Sequence, residues 1–275
     1  MPVHLSLPET FASRLRASER ALIGLWACSG SPITAEIMAS SGADWVLIDA
    51  EHTPNTLSTI QAQLYAVSSY PVAPIVRPPL GETVLIKQFL DLGVQNLLIP
   101  MVESGAQAEE LVRAIRYPGS GVRGVGAALA RSSRWNRVEN YLETASDSIS
   151  LTVQIESAPG VENVEEIVAV DGVDALFVGP SDLSASMGVL GQQSHPDVVA
   201  AVLRVIEAGR AVGKPVGVNA FVPADADMYI AAGASFVAVG ADVAMLARRS
   251  ESLVDHFLSS DDTAAAHPVE ERQSY

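Results

Sequence analysis

The chain has one cysteine, Cys28, and two lysines, Lys87 and Lys214, in 275 residues. A single cysteine excludes an internal disulfide and a thiolate metal cluster within one chain, and the apolar surroundings of Cys28 favour a small core residue over a nucleophile. Lys87 falls within a helical pattern and Lys214 at the entry end of a strand run, so neither is set for a Schiff base. Carbonyl chemistry in this chain should therefore use a metal. Basic residues are scarce overall, and a formal net charge of -15 repels a phosphate backbone, which argues against nucleic acid as a partner. An anionic small substrate would need local positive charge from a few arginines or a metal ion. No segment approaches the roughly 20 uninterrupted apolar residues of a membrane span. The first 20 residues lack a basic start followed by a long apolar stretch, so no export signal is read and the cytoplasm is the expected compartment.

What the sequence does have is apolar content, 48%, enough for a large core, and it is distributed periodically. Eight strand-like runs recur: ALIGLWA near 21, DWVLIDA near 44, PVAPIVR near 71, VQNLLIP near 94, ISLTVQIE near 149, VDALFVG near 173, KPVGVNA near 214 and ASFVAVG near 234. They are almost continuously apolar rather than alternating, the pattern of parallel strands covered on both faces. Between them lie amphipathic stretches such as TVLIKQFLDLG and GAQAEELVRAIRYPG, each closing on a glycine. Eight β-then-α units without a dividing linker predict a single (β/α)8 TIM barrel over residues 1–258, with an open doubly wound sheet as the alternative. Two segments break the pattern. The insertion Gly121 to Arg137 carries four arginines and is too long for an ordinary connection, which suggests a functional or subunit-bridging loop. Residues 259–275 are small, polar and acidic, and are expected to form a disordered tail.

In such a barrel the strand C-termini converge on one mouth, and that placement sorts the candidates. Asp49, Glu51 and His52 end the second run, Arg77 the third, Gln154 and Glu156 the fifth, and the sixth runs into GPSDLS with Asp182. Glu156 and Asp182 are hard oxygen donors suited to a divalent cation such as Mg or Mn; the plainer reading is a polar rim, with Asp182 capping a helix. Gln154 and Glu156 alternate along one strand and so face one side, which favours the metal reading. Asp49 and His52 suit a general base oriented by a carboxylate, against a histidine merely satisfied at a loop start. Arg77 at the same mouth suits pairing with a carboxylate or steadying an oxyanion. GVRGVG neither follows a strand nor opens a helix, so it fails as a nucleotide loop. Trp26 and Trp45 read more readily as core packing; Trp26 is nonetheless carried among the substrate-side candidates, together with Val125 in the inserted loop.

The motifs LIDAEHTPN, VRPP, IKQFLDLG, LLIPMV, RYPGSGVRGVG, ALARSSRWNR, VQIES and GPSDLSASMG together resemble the metal-dependent pyruvate aldolases of the HpcH/HpaI family, from about Leu25 to Arg248. The resemblance implies a TIM barrel that assembles as a homo-hexamer with a terminal helix exchanged between neighbours. It implies Glu156 and Asp182 as ligands of Mg, Mn or Co, Gln154 beside bound pyruvate, and Arg77 on the pyruvate enolate. His52 would be the base linked to Asp49, Asp91 would join the same network across a subunit boundary, and backbone amides near Ser181 would hold the carboxylate. The implied reaction is reversible cleavage of a 4-hydroxy-2-oxo acid, such as 4-hydroxy-2-oxoheptanedioate, to pyruvate and an aldehyde such as succinic semialdehyde. Aldolases of 2-keto-3-deoxy sugar acids, an acyl-coenzyme A lyase on a related barrel and a non-catalytic metal-binding scaffold are the alternatives. In the seventh strand, where an aliphatic residue on the aldehyde side is expected, Asn219 stands in GVNAF, which puts the acceptor aldehyde in question. For Glu51 a hydrogen-bonding or helix-capping role and a catalytic one stand equally open.

Overall fold

A computed structural model describes residues 3–258; the tail expected at 259–275 lies outside them. Each of the eight apolar runs contains a strand: β1 Leu22–Ala27, β2 Trp45–Asp49, β3 Ala73–Arg77, β4 Asn96–Ile99, β5 Ser150–Ile155, β6 Ala175–Val178, β7 Val216–Asn219 and β8 Phe236–Ala241. They close in sequence order into one parallel barrel, each strand returned by helical chain, as the pattern predicts. Among the described residues no helix is long and apolar enough to cross a membrane.

The strands look continuously apolar because their two faces serve two different cores. Val46, Ile48, Val76, Leu97, Val153, Ile155, Val178, Val218 and Val237 face outward and pack under the helices. Trp45, Leu47, Ala73, Ile75, Leu98, Phe177, Phe236 and Ala238 fill the barrel itself. With side chains alternating along a strand, the inward set continues upward to Trp26, Asp49, Arg77, Gln154 and Asn219, so those polar residues share one end of the barrel. A register shift between Gly24 and Trp26 against β8 locally breaks the alternation and brings Ala241 opposite Trp26.

The other end is plugged. The helix Phe11–Ala17, capped by Thr10 Oγ1 accepting the Ser13 N–H at 3.2 Å, pushes Phe11 against Trp45 and Phe236, with ring centroids 5.9 and 5.1 Å apart. The Phe11 N–H donates to the buried Asn96 side chain at 2.7 Å. No strand-and-helix periodicity announces this plug. The insertion 121–137 lies at the same end, where helices finish: the Val122 and Arg123 N–H groups donate to the Arg113 and Arg116 carbonyls, and the Leu5 N–H to the Arg137 carbonyl.

Aromatic filling requires glycine on the neighbouring strands. A Cβ on Gly217 would stand 2.3 Å from the Phe236 ring, and one on Gly24 would stand 2.0 Å from Trp45. Gly217→Ala is therefore expected to destabilise the fold by about 1–3 kcal/mol through overpacking. Urea unfolding checks this, and Phe236→Leu should recover part of the loss; equal stability of wild type and Gly217→Ala would disprove the interlock.

Candidate active site

Asp49 and Arg77 are register partners at the ends of β2 and β3. Arg77 Nε donates to Asp49 Oδ1 at 2.7 Å, and Nη1 lies 2.8 Å from Glu51 Oε2. The guanidinium is also stacked on Trp26, its carbon 4.4 Å from the ring centroid. Arg77 and Asp49 are almost fully buried, at 2% and 1% exposure, so the guanidinium is fixed in orientation while Nη2 has no partner among the described residues. The loop after β2 is wound round the same carboxylate, whose oxygens accept the Glu51 and His52 N–H groups at 3.1 and 3.3 Å. The Asp49 carbonyl accepts Thr53 Oγ1 at 2.5 Å and Asn55 Nδ2 at 2.6 Å, and Asn55 is itself held by the buried Gln63.

Across the mouth, Gln154 Nε2 donates to Glu156 Oε2, and Glu156 Oε1 accepts the Met101 N–H at 2.8 Å. Met101 takes a left-handed φ of 54°, uncommon for a residue with a side chain. Gly179 is required beside them, because a Cβ there would sit 2.7 Å from Glu156 Oε2 and 2.9 Å from Gln154 Nε2. Asp182 is exposed in the first turn of the helix Pro180–Ser186, whose start has no side-chain cap, so the capping alternative is not what this carboxylate does. Burial, then the charges of Glu51 and Asp182, push the Glu156 carboxyl up to about 7 against the pull of the Met101 N–H and Arg77. Burial likewise raises Glu51 to about 7 despite Arg77, with Asp49 and Asp182 adding to the effect.

The mouth is thus short of positive charge. Three buried polar atoms also lack partners there: Gln154 Oε1, Trp26 Nε1 and Asn219 Oδ1. The residues fit a divalent cation, since Glu156 and Asp182 are hard oxygen donors with their negative charge uncompensated. Among the described residues no group of three or more His, Cys, Asp or Glu side chains is placed to hold a metal ion.

The sequence profile of the HpcH/HpaI aldolase/citrate lyase family matches residues 22–248. The chain belongs to this family. It is 53% identical over 251 residues to the hydroxypyruvate/pyruvate aldolase of Deinococcus radiodurans, covering 91% of this chain and 90% of the relative. It is 47% identical to the 4-hydroxy-2-oxo-heptane-1,7-dioate aldolase of Shigella sonnei, covering 91% and 95%. The crystal structure of an HpcH/HpaI aldolase/citrate lyase family protein from Burkholderia cenocepacia superposes with a TM-score of 0.86 at 40% identity, covering 90% of this chain and 98% of that one. As an HpcH/HpaI aldolase the protein is a carbon-carbon lyase.

Against this family frame, the residues expected at the mouth separate into two groups. Trp26, Asp49, His52, Arg77, Gln154, Glu156, Ser181, Asp182 and Asn219 lie on strand C-termini or the segments that follow them. Asp91 and Val125 do not. Asp91 ends the helix Thr83–Asp91 at the plugged end and pairs with Arg123 at 3.3 Å, while Val125 is 64% exposed in the adjoining inserted loop. Within one chain the barrel's length separates them from His52. Within the chain Asp49 is engaged by Arg77 and by the His52 backbone, and the carboxylate nearest the imidazole among the described residues is Glu51, at 3.8 Å from Nε2. Ser181 Oγ accepts Gln193 Nε2 at 2.8 Å, leaving its backbone N–H ahead of the first intrahelical bond, which Leu183 makes to Gly179. Trp26, expected to pack, does so and also supports Arg77. Burial pushes the Cys28 thiol up to about 12, which keeps it protonated and agrees with a structural role.

Sequence reasoning missed Met101, Gly179 and Asp242. The last accepts the Cys28 and Ser29 N–H groups at 2.8 and 3.1 Å and Thr34 Oγ1 at 3.0 Å, anchoring the end of β1. A glycine between the sixth strand and PSD was a visible signal; a left-handed methionine has none.

The raised carboxyls make a pH prediction. Their folded values of about 7 exceed the ordinary 4.5, so the folded state binds more protons, and the associated stability is present below pH 4.5 and lost as pH rises through about 7. In metal-free protein the urea midpoint should fall across that window. Asp174 shifts the same way through burial, so the assignment is checked by Glu156→Gln, which should flatten the profile; an unchanged slope refutes it.

Proposed function

We propose that the protein is a class II aldolase that cleaves 4-hydroxy-2-oxo acids to pyruvate, or its hydroxylated analogue hydroxypyruvate, and an aldehyde. The observation that carries this reading is the Arg77 guanidinium held between Asp49 and Glu51, facing a mouth in which Glu156 and Asp182 lack a compensating charge. Glu156 and Asp182 would hold the divalent cation, which when bound supplies Lewis-acid polarisation of the 2-oxo acid. Everything else falls to the chain's own groups. Arg77 directs its unpartnered Nη2 to the oxygen that becomes the enolate, so its charge is in place before negative charge develops. His52, directly or through water, takes the proton of the 4-hydroxyl; the bond between carbons 3 and 4 breaks, the aldehyde departs, and the electron pair enters the enolate. Protonation of carbon 3 completes pyruvate. Glu51 stands 3.8 Å from the imidazole. Backbone N–H groups at Ser181 and Asp182 would complete the pyruvate side, with Gln154 beside it and Trp26 as the wall behind Arg77.

Asn219, with its unpartnered Oδ1, favours acceptors carrying a hydroxyl group, including the aldehydes released from 2-keto-3-deoxy sugar acids, over purely aliphatic ones. Asp91 and Val125 would join the reaction only where the floor of one barrel covers the mouth of another, which makes a homo-hexamer part of the proposal. The last helix, Asp242–Leu258, supports assembly, since Leu246, Phe257 and Leu258 are 68–72% exposed and only Asp242 is buried. A cytoplasmic location fits a metabolic lyase of this kind.

Purified protein should release pyruvate from 4-hydroxy-2-oxo acids, lose this activity with a chelator and regain it with Mn, Co or Mg. Activity indifferent to chelation would exclude the metal-dependent mechanism. Arg77→Lys keeps the charge and loses the planar fork, and should lower kcat by about 100-fold with little change in KM; a change confined to KM would remove Arg77 from the chemical step.

A further inference from the structure

Glu51 does not cap a helix. The helix that follows the β2 loop, Leu57–Val67, is closed by its own threonines: Thr56 Oγ1 accepts the Thr59 N–H at 3.3 Å, and Thr59 Oγ1 accepts the Thr56 N–H at 2.8 Å. The Glu51 side chain turns into the mouth instead, where it is 15% exposed. Its Oε2 lies 2.8 Å from Arg77 Nη1 on one side and 3.8 Å from His52 Nε2 on the other. That oxygen is buried and accepts no hydrogen bond from either, because the N–H directions miss it. Its ties to both neighbours are therefore electrostatic.

Three contacts make a ring. Asp49 Oδ1 accepts Arg77 Nε at 2.7 Å and the Glu51 N–H at 3.1 Å, and the Glu51 carboxylate returns to Arg77 Nη1. Strand register pins Asp49 and Arg77, so Glu51 is the corner contributed by the loop, and the next residue of that loop is His52. A guanidinium tethered at Nε alone can still swing about that bond within the plane set by Trp26; a charge beside Nη1 stops the swing and turns Nη2 to the open mouth. This corner is held against a cost. Burial pushes the Glu51 carboxyl up to about 7 against the pull of Arg77, with Asp49 and Asp182 adding to the rise, so an uncharged side chain of the same shape would be the more stable occupant. Packing alone does not account for a carboxylate here.

We propose that Glu51 is a positioning residue of the aldol reaction: its carboxylate closes the ring with Asp49 and Arg77 and spans from the guanidinium to the His52 imidazole, holding the two at one separation. The inference rests on the aldolase reading. In that reading the two groups act on one event, since the electron pair released between carbons 3 and 4 enters the enolate beside Arg77 as the 4-hydroxyl proton leaves toward His52. A misplacement of about 1 Å between groups that must act together can cost about 100-fold in rate. Glu51 touches neither the reacting bond nor the proton, and works through the two residues that do.

Steady-state kinetics of the Mn-loaded full-length protein, read as pyruvate released from a 4-hydroxy-2-oxo acid, tests it. Glu51→Gln keeps the shape and loses the charge, and should lower kcat by about 30-fold while KM stays within about twofold. Because the three groups act as a unit, the same substitution placed in Arg77→Lys or in His52→Asn should cost less than about threefold more. In metal-free protein at a pH above about 7, Glu51→Gln should raise the thermal midpoint, since the variant no longer ionises a buried carboxyl there. A carboxylate that merely braced the loop would give the reverse, a lowered midpoint and losses that multiply in the double variants. Either of those results, or an unchanged kcat in Glu51→Gln, overturns the proposal while leaving the aldolase reading intact. Wild-type protein that releases no pyruvate defeats that reading and the inference with it.

Discussion

The architecture of the mouth turns on one buried ion pair, the Arg77 guanidinium against Asp49. Two charges taken out of water on adjacent strand ends are tolerable only because each meets the other at hydrogen-bond distance and Trp26 covers the guanidinium face. Glu51 then makes the arrangement asymmetric, by adding a second negative charge to an arginine already engaged. Its partial loss of ionisation and that of Glu156 have one origin, more carboxylates than cations in a dry opening. A site so arranged is incomplete on its own and is poised to accept positive charge.

Rigid elements hold these groups in place. Asp49 and Arg77 are fixed by strand register, the loop after β2 by hydrogen bonds that run from Asp49 through Asn55 to Gln63, and the end of β1 by Asp242. The aromatic filling of the barrel beneath, with Trp45, Phe177 and Phe236 in mutual edge or tilted contact, prevents the floor of the site from collapsing. The opposite end uses its charge differently, with arginines in excess where the mouth has carboxylates in excess.

Much of this was legible in the sequence. Eight apolar runs spaced by amphipathic stretches suffice for a barrel, because only double-sided burial makes strands such as LLI and ALFV apolar at every position. The polar residues at their ends were legible for the same reason: a charge at the end of an apolar strand has one place to go. What stayed hidden depended on geometry that carries no compositional mark. The partner of the His52 imidazole is set by how the loop winds, which turned Asp49 toward Arg77 and left Glu51 nearer the ring. Asp91 and Val125 sit in recognisable motifs, yet a motif does not say which end of the barrel its residues occupy. The helix Phe11–Ala17 is too short for its periodicity to separate it from a loop.

Met101 has a consequence for how the site tolerates change. Its contribution to Glu156 is a main-chain N–H, presented by a left-handed turn, and the thioether has no part in it. Replacement of that side chain by asparagine or glycine leaves the donor where it is. Proline, which has no N–H, and β-branched residues, which resist this twist, are the substitutions barred. Drift at codon 101 should accordingly be filtered by backbone shape and be nearly blind to polarity, so a position bonded directly to the buried Glu156 carboxyl would look permissive in any tally of side-chain chemistry.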